Sequence, residues 1–158
     1  MAAKKILNLK DEKVVAAGGS KKESNIIFIK RSVWKDMLHH CEQTKPIEAC
    51  GILSGSRKGQ CEKIWKMKNM KQSKYSFEMN QNDLEKRLRL LQKNNEVLTG
   101  IYHSHPTAAP YPSKQDIANA HYPDAAYIIV SLAHSKPKVR CFRINHRTMC
   151  PMKIKLWN

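Results

Sequence analysis

The sequence predicts an α/β fold, on three observations. Apolar residues recur at helical spacing over 33–44 and 83–96. Short apolar runs of strand length stand at 25–29, 48–54, 97–103 and 125–132. Glycine, proline and asparagine fall mostly between these stretches, where the chain has to turn. A chain of 158 residues can build one such domain around a single core.

Residues 1–24 carry six lysines, and Gly18-Gly19-Ser20-Lys21-Lys22 reads as a linker. This segment is expected to be a basic, flexible extension ahead of a domain over 25–158. The run 25–29 reads as a buried strand. Ser32 is placed to cap a helix over 33–44, with Val33, Met37 and Cys41 as its apolar stripe and Pro46 beyond its end. Residues 48–54 read as a strand, 55–59 as a turn and 61–67 as the hairpin partner. Asn82 with Glu85 matches a capping box before a helix over 83–96, with Leu84, Leu88 and Leu91 inward. A strand over 97–103 leads into a loop holding Pro106, Pro110 and Pro112, and 113–120 reads as a short helix. The run 125–132 has almost no polar side, as a central strand covered on both faces requires. Pro137 stands in the turn before a last predicted strand over 138–144.

Charge narrows the partners. The chain holds 29 Lys+Arg and 13 Asp+Glu, a net +16. The excess is +6 over 57–100 and +7 over 134–158, while 101–133 is −1. Such a surface suits an acidic protein first; nucleic acid is secondary, because no RNA-recognition or helix-turn-helix signature accompanies the charge. A solvated lysine-rich surface explains the same numbers. No run of 18 apolar residues spans a membrane, and the N-terminus lacks the apolar core of a signal peptide. Five cysteines without a C-x-x-C pair argue against a disulfide framework or zinc finger and suit the cytoplasm.

The chemistry concentrates in His103-Ser104-His105-Pro106 and Ser113-x-x-Asp116. Positions i and i+2 of a strand share a face, so both imidazoles can aim at one point. The short proline-rich loop lets Asp116 return to them from the first turn of the next helix. Two nitrogens and one carboxylate leave a fourth position open, the pattern of a catalytic metal site. Zn2+ suits this set, which by itself does not exclude iron. A metal hydrolase also needs a base that is not a ligand. Glu48 fits, because a carboxylate inside the apolar run 47–53 is costly to bury unless it is put to use.

The order Glu48, then His103-Ser104-His105-Pro106, then Ser113 and Asp116 resembles the JAMM motif of the MPN+ metalloproteases. Residues 48–55 and 122–132 are similar to the compact prokaryotic members, and the resemblance covers about 25–146. It implies an MPN domain (JAB1/MPN, cytidine-deaminase-like): a curved mixed β-sheet flanked by helices. It implies that His103, His105 and Asp116 bind zinc, that Glu48 activates a zinc-bound water, and that Ser113 supports the oxyanion. The implied reaction is hydrolysis of a peptide or isopeptide bond after the C-terminal Gly-Gly of a ubiquitin-like or sulfur-carrier protein. The segment between Gly55 and His103 leaves no room for a large substrate-clamping insertion.

The remaining histidines and cysteines read more plainly. His39 and His40 belong to a helix surface beside a core Cys41. His121 and His134 are candidates to line the cleft. Cys50 shares a strand face with Glu48 and reads either as an ordinary buried thiol or as a group near the metal. Cys61, Cys141 and Cys150 read as core or incidental. The chain lacks the H-x-E and P-C-x-x-C pair of a zinc deaminase, H-E-x-x-H and a P-loop. The rival reading is a non-catalytic basic MPN scaffold that binds an acidic protein or nucleic acid.

Overall fold

Among the described residues, eight strands and three helices follow in the order β1 (Ile26–Lys30), α1 (Arg31–Thr44), β2 (Cys50–Gly55), β3 (Gln60–Cys61), β4 (Lys63–Met67), α2 (Gln81–Lys93), β5 (Val97–His105), α3 (Lys114–Ala118), β6 (Ala126–Ser131), β7 (Lys138–Asn145) and β8 (Thr148–Trp157). The computed structural model describes residues 24–146 and 148–158. The expected basic extension therefore lies, except for Ser24, outside the described residues.

The strands form one mixed sheet in the order β3-β1-β8-β7-β6-β5-β2-β4. Its two outermost strands are consecutive in sequence and separated only by Glu62. The segment pairs parallel to β1 at one end and antiparallel to β2 at the other. The sheet is thus curled nearly into a barrel, and the Glu62 amide donates to the Ser54 carbonyl at 2.8 Å across the seam. The hairpin expected between 48–54 and 61–67 is present as β2 with β4, while Gln60 and Cys61 turn aside to pair with β1.

Two apolar clusters cover the two faces. On one face α1 places Val33, Met37 and Cys41 against Tyr102, Ile128 and Val130. On the other α2 places Leu84 and Leu91 against Ile101, Tyr127 and Ile129. Alternate residues of β6 serve alternate faces, which is why its sequence has no polar side. It is an interior strand between β5 and β7.

The helix starts differ from expectation. α1 follows β1 directly, with Lys30 as its N-cap and no side-chain cap; Ser32 lies inside the helix. α2 begins two residues earlier than Asn82 implies, because Asn80 accepts the Asp83 amide at 3.1 Å. Met79 before that cap and Leu84 on the fourth helical position join the same apolar cluster, the arrangement of a hydrophobic staple. α2 ends at Lys93 rather than 96. β8 carries no predicted element, yet it pairs with both β1 and β7 and completes the sheet.

Candidate metal centre

β5 and α3 bring the sequence-predicted ligands together. His103 and His105 occupy the end of β5 and share its α2-facing side. Ser113 is the N-cap of α3: its Oγ accepts the Asp116 amide at 3.0 Å, and Asp116 Oδ2 accepts the Ser113 amide at 2.9 Å. The capping box thereby points the Asp116 carboxylate back at β5. His103 Nε2 and His105 Nε2 are 3.0 Å apart, and Asp116 Oδ2 lies 3.1 and 3.2 Å from them.

These three atoms fit a cation. His105 Nδ1 is 2.8 Å from the Ala109 carbonyl, which can only accept, so Nδ1 carries the proton and Nε2 presents a lone pair. That lone pair faces a second imidazole nitrogen and a carboxylate oxygen at van der Waals contact or less. Such a cluster of electron-rich atoms needs a proton or a metal at its centre. His103, His105 and Asp116 are the metal-capable group among the described residues. The two histidines are buried, and Phe77 stacks on His103 with ring centroids 4.6 Å apart.

Glu48 stands just before β2 rather than inside it, and its residue is only 3% exposed. Oε2 has no hydrogen-bond partner. Burial pushes its pKa up to about 7, with His105 pulling down and Asp116 pushing up. Burial lowers His103 and keeps it neutral, as a ligand must be, despite Asp116. Burial also acts to lower His105, but the hydrogen bonds to Asp116 and Ala109 outweigh it and raise it. Burial acts to raise Asp116, and the two imidazoles hold it well below the usual carboxylate range. Ser113 Oγ uses a lone pair for the Asp116 amide, so its own proton is free to donate.

A cavity of about 780 Å³ opens beside the triad, between α2, β5 and α3. His103 and Asp116 form one wall, and Phe77, Met79, Leu88 and Tyr122 give it an apolar lining. His121 lines it too, whereas His134 lines a separate groove with Tyr111 and Arg140. Cys50 pairs across from His103 in the sheet register but stays fully buried, its Sγ 3.7 Å from the Met67 carbonyl. Burial, with Glu48 nearby, pushes its thiol up to about 12, as in a core cysteine. His40 does more than sit on a surface: its Nδ1 lies 2.7 Å from Tyr102 Oη. Cys41, Cys61 and Cys141 are buried, and Cys150 is exposed.

Phe77 and Asn69 belong to the same neighbourhood and carry no motif. Their only sequence sign is an aromatic and an asparagine in an otherwise lysine-rich segment.

Residues 30–145 match the family described as prokaryotic homologs of the JAB domain. The chain is 31% identical over 121 residues to the CysO-cysteine peptidases of Mycobacterium tuberculosis and Mycobacterium bovis, covering 75% of this chain and 83% of theirs. It is similar to a Desulfitobacterium hafniense protein solved in solution, with TM-score 0.75, 32% identity, and 83% of this chain and 92% of that one covered. A JAB1/MPN domain protein of Archaeoglobus fulgidus shares the fold, with TM-score 0.55, 18% identity, and coverage of 85% and 100%. With the expected fold and the convergent His-His-Asp cluster, the chain belongs to the prokaryotic JAB-domain branch of the JAMM/MPN+ metallopeptidases.

Proposed function

We propose that this peptidase is zinc-dependent and hydrolyses the peptide or isopeptide bond after the C-terminal Gly-Gly of a sulfur-carrier or other ubiquitin-like protein. One observation carries the reading: Glu48 offers a buried, unpartnered carboxylate oxygen in electrostatic reach of His105 and Asp116, two of the three convergent metal donors. The similarity to CysO-cysteine peptidases supports the substrate class. His103, His105 and Asp116 would hold the metal. When bound, it supplies Lewis-acid polarisation of the scissile carbonyl and acidification of water.

This chain's own residues do the rest. Glu48, its pKa already raised by burial, takes the proton of the attacking water and returns it to the leaving amine. Ser113 donates its hydroxyl proton to the developing oxyanion, an effect of about 10²–10³ in kcat in comparable sites. The apolar part of the cavity wall, Phe77, Met79 and Leu88, would take the residues next to the scissile bond.

The test pairs zinc analysis with cleavage. Wild type, Asp116→Ala and Glu48→Gln are purified side by side and given a panel of Gly-Gly-tailed sulfur-carrier and ubiquitin-like fusions. One zinc per wild-type chain, lost in Asp116→Ala, with cleavage after Gly-Gly abolished by Glu48→Gln, is the expected result. A folded wild type that binds no zinc after reconstitution sinks the reading and favours the basic scaffold.

A further inference from the structure

Residue 48 lies outside regular secondary structure, so its position must be fixed by side chains and loops. One anchor is Ser104 in β5: its amide donates to the Ala49 carbonyl at 3.0 Å, and its Oγ accepts the Ala49 amide at 2.8 Å. The other is Asn69, buried two residues past β4. Asn69 Nδ2 donates to the Glu48 carbonyl and to the Ser76 carbonyl, each at 3.0 Å. Its Oδ1 accepts the Lys71 amide at 3.1 Å and the Glu78 amide at 3.2 Å. Two donor hydrogens and two lone pairs are all that an amide side chain has, and all four are used. The loop that Asn69 ties together reaches back as well, because the Glu48 amide donates to the Ser73 carbonyl at 2.9 Å. The bonds to Ser76 and Glu78 bracket Phe77, the ring stacked on His103.

We propose that Asn69 is a positioning residue: its side-chain amide fixes the Glu48 backbone, and the Phe77 ring with it, against the metal triad. This rests on the reading of Glu48 as the proton carrier, and Asn69 acts only through it. A merely structural role would be to fold the loop 69–78. The isosteric change Asn69→Asp separates the two. It keeps the oxygen that accepts from Lys71 and Glu78, and it turns the donor end into an acceptor facing two carbonyls.

The experiment measures backbone amide exchange by NMR at Glu48 and Ala49, zinc per chain, and kcat and KM on whichever fusion wild type cleaves. Zinc content is expected to stay at one per chain. Exchange at Glu48 should quicken by about tenfold or more, while Ala49, bonded to Ser104, keeps its protection. A misplaced base should lower kcat by about 10–100-fold and leave KM within about threefold. Unchanged exchange at Glu48, or unchanged kcat in folded, zinc-loaded Asn69→Asp, overturns the proposal. If that variant does not fold, Asn69→Ser, too short to span both carbonyls, is held to the same criteria. If wild type cleaves none of the fusions, the functional reading fails, and unchanged exchange at Glu48 still overturns the role of Asn69.

Discussion

Glu48 is held in a setting that favours its neutral form, and this has a thermodynamic signature in the metal-free protein. Burial raises its pKa from 4.5 to about 7, so the folded state keeps a proton that the unfolded chain has already lost. Stability contributed by this group is therefore present below pH ~4.5, declines as pH rises to about 7, and is flat above, an effect of at most roughly 3 kcal/mol. Glu48→Gln has no proton to lose. Its metal-free melting temperature should exceed that of wild type at pH 8 by several degrees and match it near pH 4.5, as thermal unfolding in chelator would read. The same variant should lose about 10²–10⁴ in kcat while retaining zinc. At this scale the sequence was most informative where residues that meet are close in the chain. His103, His105, Ser113 and Asp116 lie within 14 residues, so spacing reports their geometry. Asn69 meets Glu48 across 21 residues, and an asparagine among lysines looks like any turn residue.

The elements position these side chains, and two positions probe that function. Ser113 caps α3 and aims Asp116. Ser113→Ala should cost about 1 kcal/mol of stability through the lost cap. If its hydroxyl also serves the oxyanion, kcat should fall about 10²–10³-fold with KM nearly unchanged, which steady-state kinetics would resolve from the loss of the cap. Gly51 in β2 lies against the Tyr102 ring, and a Cβ there would sit 2.5 Å from ring and hydroxyl atoms. Gly51→Ala should destabilise by about 1–3 kcal/mol in chemical denaturation and loosen the Tyr102–His40 bond. The two longer helices were legible because their apolar stripes recur at helical spacing. Their starts were not, because Asn80 and Asn82 are both good caps, and the packing of Met79 and Leu84 selects between them. β8 alternates Met152, Ile154 and Leu156, but Pro151, Lys153 and Lys155 read equally well as a basic tail.

For the whole molecule, metal and charge are the levers. A metal that binds only the folded state stabilises by about 2.7 kcal/mol at one hundred times its dissociation constant. Zinc should thus raise the melting temperature by roughly 5–11 °C, and Asp116→Ala should abolish the shift. The net charge of +16 should make KM for an acidic carrier protein rise steeply with salt, with kcat little changed. The α/β class was legible from periodicity, while the curved sheet was legible only through the family resemblance, because the curl depends on one segment pairing with β1 at one end and β2 at the other. The place of β8 in that sheet has a consequence for synthesis. β1 meets the rest of the sheet through β8 and the two-residue β3, so a nascent chain lacking 148–158 leaves β1 without its principal neighbour. Folding on the ribosome would then stay incomplete until these residues clear the exit tunnel. Chains stalled short of that point should be cut by protease at β1, and emergence of β8 should protect them.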